Sequence, residues 1–76
     1  MQLQNMPASR IIAEKLRQVR EELGLTQEQV AVLMKRPQSY VSRCEMGIKR
    51  LEIRDLEAFC QVYGKNISFF LTEETR

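Results

Sequence analysis

The chain predicts an all-α fold, compact and built from five short helices around a single core. Apolar residues recur at spacings of three and four, the period of one helix face, and Gly24, Gly47 and Gly64 each fall where such a run stops. A chain of 76 residues has room for one domain only, near the lower size limit for folding on its own core. With 43% hydrophobic and 29% charged residues, it has the composition of a globular protein rather than a disordered one.

Residues 1–8, which include Pro7, show no helical period and read as a flexible N-terminal arm; residues 9–76 form the domain. Ser9 is placed to cap helix 1, expected over about 10–23, with Ile12, Leu16, Val19 and Leu23 as its apolar stripe and Gly24 at a left-handed C-terminal cap. Thr26 with Gln29 three residues later is a capping-box pattern, so helix 2 should begin at Gln27 and turn Val30, Ala31, Leu33 and Met34 to the core. Ala31 is small where two helices must approach closely. Pro37 cannot continue helix 2 but suits the start of the next helix. Helix 3 is expected from about Gln38 to Met46, with Val41 and Cys44 inward and Gly47 at its end. Helix 4, about 53–63, carries the stripe Ile53, Leu56, Phe59, Cys60 and Tyr63 and closes at Gly64. Asn66 caps a last short helix containing Ile67, Phe70 and Leu71, and the tail from Thr72 to Arg76 is expected to fray.

Several function classes are excluded on composition. There is no histidine, and Cys44 and Cys60 form no C-x-x-C pair, so a structural zinc site lacks ligands and no metal or cofactor is expected. Both cysteines sit in helical apolar patterns and read as small buried thiols rather than a disulfide. Without histidine, an exposed thiol or paired acids in a pocket pattern, an enzyme is not expected. No apolar run reaches the roughly 18 residues of a membrane span, and the N-terminus has neither the basic start nor the apolar core of a secretory signal. The expected location is the cytoplasm.

The net charge of +2 says little, but its distribution says more. Residues 35–50 hold Lys35, Arg36, Arg43, Lys49 and Arg50 against Glu45 alone, whereas residues 1–34 balance and residues 51–76 are net acidic. All the excess positive charge therefore falls in the turn before helix 3, in helix 3, and in the loop after it. That is the footprint expected for phosphate contact. Two short helices joined by a tight turn, the second with a polar face flanked by cations, have the form of a helix-turn-helix, whose second helix lies in the DNA major groove.

On this reading, Gln38, Ser39, Tyr40, Ser42 and Arg43 are the outward candidates of helix 3. The Gln38 amide matches adenine N6 and N7; Arg43 can fork onto guanine O6 and N7 or onto a phosphate. Ser39 can donate or accept, and Tyr40 can pack on a thymine methyl or reach a phosphate through its hydroxyl. Lys35, Arg36, Lys49 and Arg50 are assigned to the DNA backbone. The positive end of the helix 2 dipole lies at Gln27, where backbone amides can meet a phosphate.

Leu16-Arg17-x-x-Arg20, Gly24-Leu25-Thr26-Gln27-Glu28, Ala31, Val41-Ser42-x-x-Glu45-x-Gly47 and Leu56-x-x-Phe59-Cys60-x-x-Tyr63-Gly64, in this order and spacing, resemble the Cro/cI-type (lambda-repressor-like, XRE) helix-turn-helix family over about residues 10–72. Arg36-Pro37-Gln38-Ser39-Tyr40-Val41-Ser42 further resembles a common variant of its turn and recognition helix. The resemblance implies that the Gln27 side chain adds a bond to a phosphate. It also implies that Arg20 and Glu45 form a partly buried, structural salt bridge. It implies a small transcriptional regulator, repressor-like, that binds double-stranded DNA as a homodimer on a palindromic operator with half-sites about 34–36 Å apart. Phe69, off the pattern of the last helix, is a candidate twofold contact; its alternative is packing on the arm near Leu3 or Met6. One departure stands out: the family usually has glycine at the position of Lys35, often left-handed. Either the turn differs here or the lysine is kept for a phosphate. The alternative function is a protein-interaction module or antitoxin whose main partner is another protein; the polar, basic face of helix 3 suits a phosphate-lined groove better.

Overall fold

The computed structural model describes residues 6–71, with side chains described from residue 10 onward. Five helices follow one another: α1 Met6–Glu22, α2 Gln27–Met34, α3 Gln38–Met46, α4 Ile53–Tyr63 and α5 Ile67–Leu71. Helix α3 packs on both α1 and α2, α2 also meets α4, and α5 closes the assembly against α1 and α4.

Helix α1 begins at Met6, earlier than the expected start at about residue 10 behind a Ser9 cap. Pro7 is tolerated there because a first-turn N–H has no intrahelical acceptor in any case. Ser9 is thus inside the helix rather than its cap; residues 1–5 of the expected arm and the expected tail 72–76 lie outside the described residues. Ala13, Leu16 and Val19 are the buried face of α1. Leu23 departs from the expected stripe: it lies beyond the last helical residue and is 50% exposed. Gly24, at φ +72°, reverses the chain there, with the Leu25 N–H returning to the Arg20 carbonyl at 3.1 Å. Leu25, not Leu23, then packs against the core.

The capping box of α2 is formed in both directions: the Gln29 N–H donates to Thr26 Oγ1 at 3.0 Å, and the Thr26 N–H to Gln29 Oε1 at 2.8 Å. Val30 and Ala31 are buried and Met34 packs beside them, but Leu33 is exposed. An eight-residue helix that turns Val30, Ala31 and Met34 inward leaves Leu33 past the edge of that face. Lys35 ends α2 in the left-handed region, φ 59° and ψ 44°, and the Arg36 N–H bonds back to the Ala31 carbonyl at 3.0 Å. The turn therefore keeps the left-handed geometry and places a lysine in it. A side chain there costs about 1–2 kcal/mol relative to glycine.

Val41 and Cys44 of α3 are fully buried, as expected, and Gly47 at φ +76° ends the helix. In α4 the stripe Leu56, Phe59, Cys60 and Tyr63 is buried, while Ile53, the first residue of the helix, is exposed. Asn66 Oδ1 accepts the Ser68 N–H at 3.0 Å and opens α5, whose Phe70 is buried while Leu71 at the end is exposed. Both cysteines are free and buried, and burial pushes the Cys44 thiol up to about 11. Phe69, at the margin of exposure, stands edge-on to Phe70 at 5.0 Å, with the ammonium groups of Lys15 and Lys65 over its ring at 5.1 and 4.8 Å. Its alternative contacts, Leu3 and the Met6 side chain, lie outside the described residues.

Candidate nucleic-acid interface

Gln38, Ser39 and Arg43 lie on the exposed side of α3, with Ser42 half-buried and its hydroxyl 3.6 Å from Met46 Sδ. Lys35, Arg36 and Arg50 are exposed and Lys49 is half-buried, so the five cations of residues 35–50 flank this side. Of the outward candidates of α3, one lies in the interior. Tyr40 is buried at 5% exposure and does not stand among the outward residues. Its ring stacks on Phe59 at 6.3 Å, and its hydroxyl donates to Asp55 Oδ1 at 2.7 Å. A phenol has an apolar body and a polar tip, and here a buried acceptor satisfies the tip, so the whole side chain goes inside.

Behind this face, two polar networks anchor α3. The first joins α1, α2 and α3. Arg20 grips Glu45 with two N–H groups, Nε to Oε2 at 2.6 Å and Nη2 to Oε1 at 2.9 Å, and its Nη1 donates to the Leu25 carbonyl at 2.9 Å. The two side chains are 12% and 3% exposed, so the expected bridge is present and almost wholly enclosed. Its hydrogen bond to Glu45 raises the Arg20 pKa above the ordinary value, against the opposing effect of burial. The network continues outward: Gln27 Nε2 donates to Glu45 Oε1 at 3.0 Å, and Gln38 Nε2 donates to Gln27 Oε1 at 2.6 Å. Gln27 is therefore a linker from a buried ion pair to the first residue of α3, at the rim of a shallow groove that Thr26 and Glu28 also line.

The second network joins α3 to α4 through Asp55, which the sequence reading did not single out. Besides the Tyr40 hydroxyl, Asp55 accepts the Glu52 N–H through Oδ2 at 2.7 Å, and the Lys49 ammonium lies 3.8 Å away. Burial pushes the Asp55 carboxyl up, but the Tyr40 and Glu52 hydrogen bonds with Lys49 and Arg36 outweigh it, and the net shift is downward. The signal was present: an acid three residues after the N-cap Glu52 reaches back to the open N–H of a helix start. Above the Tyr40 ring lie two cations, the Arg36 guanidinium at 4.6 Å and the Lys49 ammonium at 5.7 Å from its centroid. No group of His, Cys, Asp and Glu among the described residues could hold a metal ion.

A capped helix, a left-handed turn and a second helix with a polar, cation-flanked outer side define a helix-turn-helix protein. The helix-turn-helix domain family matches residues 11–65, and the chain belongs to it, in its XRE-like, Cro/cI-type form. No curated protein sequence matches. Among solved structures the chain is similar to the clp gene regulator ClgR from C. glutamicum (22% identity, covering 88% of this chain and 87% of that one, TM-score 0.80). It is similar to SinR, the master regulator for biofilm formation, in complex with DNA (24% identity, 80% and 98% covered, TM-score 0.74). It is also similar to the restriction-modification controller protein C.Esp1396I, a tetramer in complex with its natural 35 base-pair operator (22% identity, 88% of each chain, TM-score 0.79). At these identities the likeness speaks for the five-helix, lambda-repressor-like fold. Among the described residues, no helix is long and apolar enough to cross a membrane.

Proposed function

We propose that this chain is a sequence-specific, repressor-like transcriptional regulator that reads the major groove of double-stranded DNA with α3 and binds as a homodimer on a palindromic operator. The observation that carries the reading is the chain of hydrogen bonds from Arg20 and Glu45 through Gln27 to Gln38. A glutamine that reads adenine bidentately uses its carbonyl oxygen and one amide N–H. Gln38 gives one N–H to Gln27, which leaves its carbonyl oxygen and a second N–H for a base. Gln27 likewise keeps an N–H and its backbone amide, at the positive end of α2, for a phosphate. Ser39, Ser42 and Arg43 are the further base-facing or phosphate-facing groups; Lys35, Arg36, Lys49 and Arg50 bind the backbone. Tyr40 belongs to the interface as a buried support rather than as a reader.

The structurally similar SinR and C.Esp1396I carry DNA in their complexes, in keeping with this reading. Phe69, the exposed aromatic of α5, is the candidate twofold contact. The deciding experiment is selection of tight binders from a random duplex library at physiological salt, with Gln38→Ala as control. An enriched palindrome with half-sites about ten base pairs apart, altered or lost with Gln38→Ala, supports a dimeric reader. No enrichment, with only weak salt-sensitive binding, overturns it and favours a protein partner.

A further inference from the structure

We propose that Tyr40 and Asp55 are positioning residues for phosphate binding: the Tyr40 ring, held by the Asp55 carboxylate, is a platform that sets Arg36 and Lys49 for the DNA backbone. The inference rests on the DNA-binding reading above. Arg36 comes from the turn before α3 and Lys49 from the loop after it, yet their charged groups lie 4.6 and 5.7 Å from the centroid of one ring. That ring is a fixed point. Its residue is 5% exposed, its hydroxyl is anchored on Asp55 at 2.7 Å, and Phe59 stacks on it at 6.3 Å. Asp55 is anchored in turn by the Glu52 N–H at 2.7 Å, at the start of α4.

The chemistry of the platform leaves both cations usable. A cation is attracted to the ring through the ring's face. The Arg36 guanidinium carries five N–H donors, more than one ring face can engage, so donors remain for phosphate oxygens. The Lys49 ammonium donates once, to the Arg50 carbonyl at 2.9 Å, and stands 3.8 Å from Asp55, beyond hydrogen-bond length, so donors remain. Long cationic side chains lose rotamer freedom when a phosphate captures them, and chains already laid on a ring lose less. The ring thus acts on DNA affinity without touching a base.

The test measures affinity of the full chain for the selected duplex and for a mixed-sequence duplex across a series of salt concentrations. It compares the natural protein, Tyr40→Leu, Tyr40→Phe, and Arg36→Ala/Lys49→Ala with and without Tyr40→Leu, each checked for folding by circular dichroism. Tyr40→Leu is expected to weaken binding about tenfold on both duplexes. It should also flatten the slope of log affinity against log salt by about one to two units per protomer. Tyr40→Phe, which keeps the ring but loses its anchor on Asp55, should recover the slope only in part, and Tyr40→Leu should add nothing in the Arg36→Ala/Lys49→Ala background. A folded Tyr40→Leu with the natural slope, or a slope change that persists without the two cations, overturns the proposal and leaves the DNA reading standing. Should Tyr40→Leu not fold, Tyr40→Leu/Asp55→Asn, which strands no buried carboxylate, is read in the same way. Absence of salt-dependent duplex binding by the natural protein overturns the DNA reading and the platform together.

Discussion

The two ends of α3 are held by unlike devices. At its C-terminal end, Glu45 is gripped by the Arg20 guanidinium in a bidentate ion pair. Near its N-terminal end, Tyr40 gives a single neutral hydroxyl to a buried carboxylate. The first device places two opposite charges in a nearly closed site, where each is indispensable to the other because an unpaired buried charge is costly. The second shares one carboxylate among the Tyr40 hydroxyl, the Glu52 N–H and the Lys49 ammonium. The comparison suggests a division of labour: the ion pair fixes where α3 sits against α1 and α2, and the aspartate cluster fixes how the turn and loop at its two ends meet α4.

The largest effect is expected at the ion pair. Arg20→Ala leaves the Glu45 carboxylate, 3% exposed, with only the Gln27 amide, and should lower the unfolding free energy by roughly 3 kcal/mol in urea titrations. A loss no larger than that of an exposed pair would erase the contrast drawn above. Next comes Tyr40→Phe, which removes one hydrogen bond to a charged group and should cost about 1.5–3 kcal/mol by the same measurement. Asp55 also makes a pH prediction. Its folded pKa is lowered, so its contribution is present above the ordinary carboxylate pKa and is lost as pH falls through the folded value. Stability should therefore decline on acidification below about pH 4, and Asp55→Asn should remove part of that decline. Unchanged acid limbs in the two proteins would argue against the carboxylate's role.

Lys35→Gly should act in the opposite sense, raising stability by about 1 kcal/mol because it relieves the left-handed side chain. If Lys35 meets a phosphate, the same variant binds DNA with a salt slope smaller by about one unit, so a stabilised protein that binds less well is the informative outcome. The smallest effect is reserved for the second buried tyrosine. The Tyr63 hydroxyl has no hydrogen-bond partner among the described residues, so Tyr63→Phe should leave the melting midpoint unchanged or slightly raised. The same chemical edit at Tyr40 and Tyr63 should thus give unequal results, and equal losses would mean that the Asp55 bond adds nothing.

Much of the fold was legible wherever the signal is local. Thr26 and Gln29 announce a helix start because the two groups that bond are three residues apart. Gly24, Gly47 and Gly64 mark the ends because all three take positive φ. The Arg20–Glu45 pair is not local, and it was legible only through the resemblance of the surrounding pattern. Leu23, Leu33, Ile53 and Leu71 show the limit of periodicity: each is apolar and close to the expected phase, yet each lies at a helix end or past the edge of the buried face, where a neighbouring helix no longer covers it. Tyr40 shows a different limit. Its i, i+4 spacing to Cys44 puts it on the buried side of the helix wheel, but a phenol hydroxyl also suits a surface, and nothing adjacent in the chain reveals that an acid from another helix waits for it.

The sequence by itself determined the five helices, the start of α2 behind Thr26, the stops at Gly24, Gly47 and Gly64, the concentration of basic residues around α3, and the family to which the chain belongs, because these depend on contacts within a few residues and on a pattern of spacings. Only the tertiary structure decided that Tyr40 turns inward, that Asp55 is a buried anchor, that Arg36 and Lys49 share one ring, and that Gln27 links Glu45 to Gln38. The physical reason is common to all four. An amphipathic or charged side chain goes where its polar atoms are satisfied at least cost, and here the satisfying partners lie on other segments of the chain.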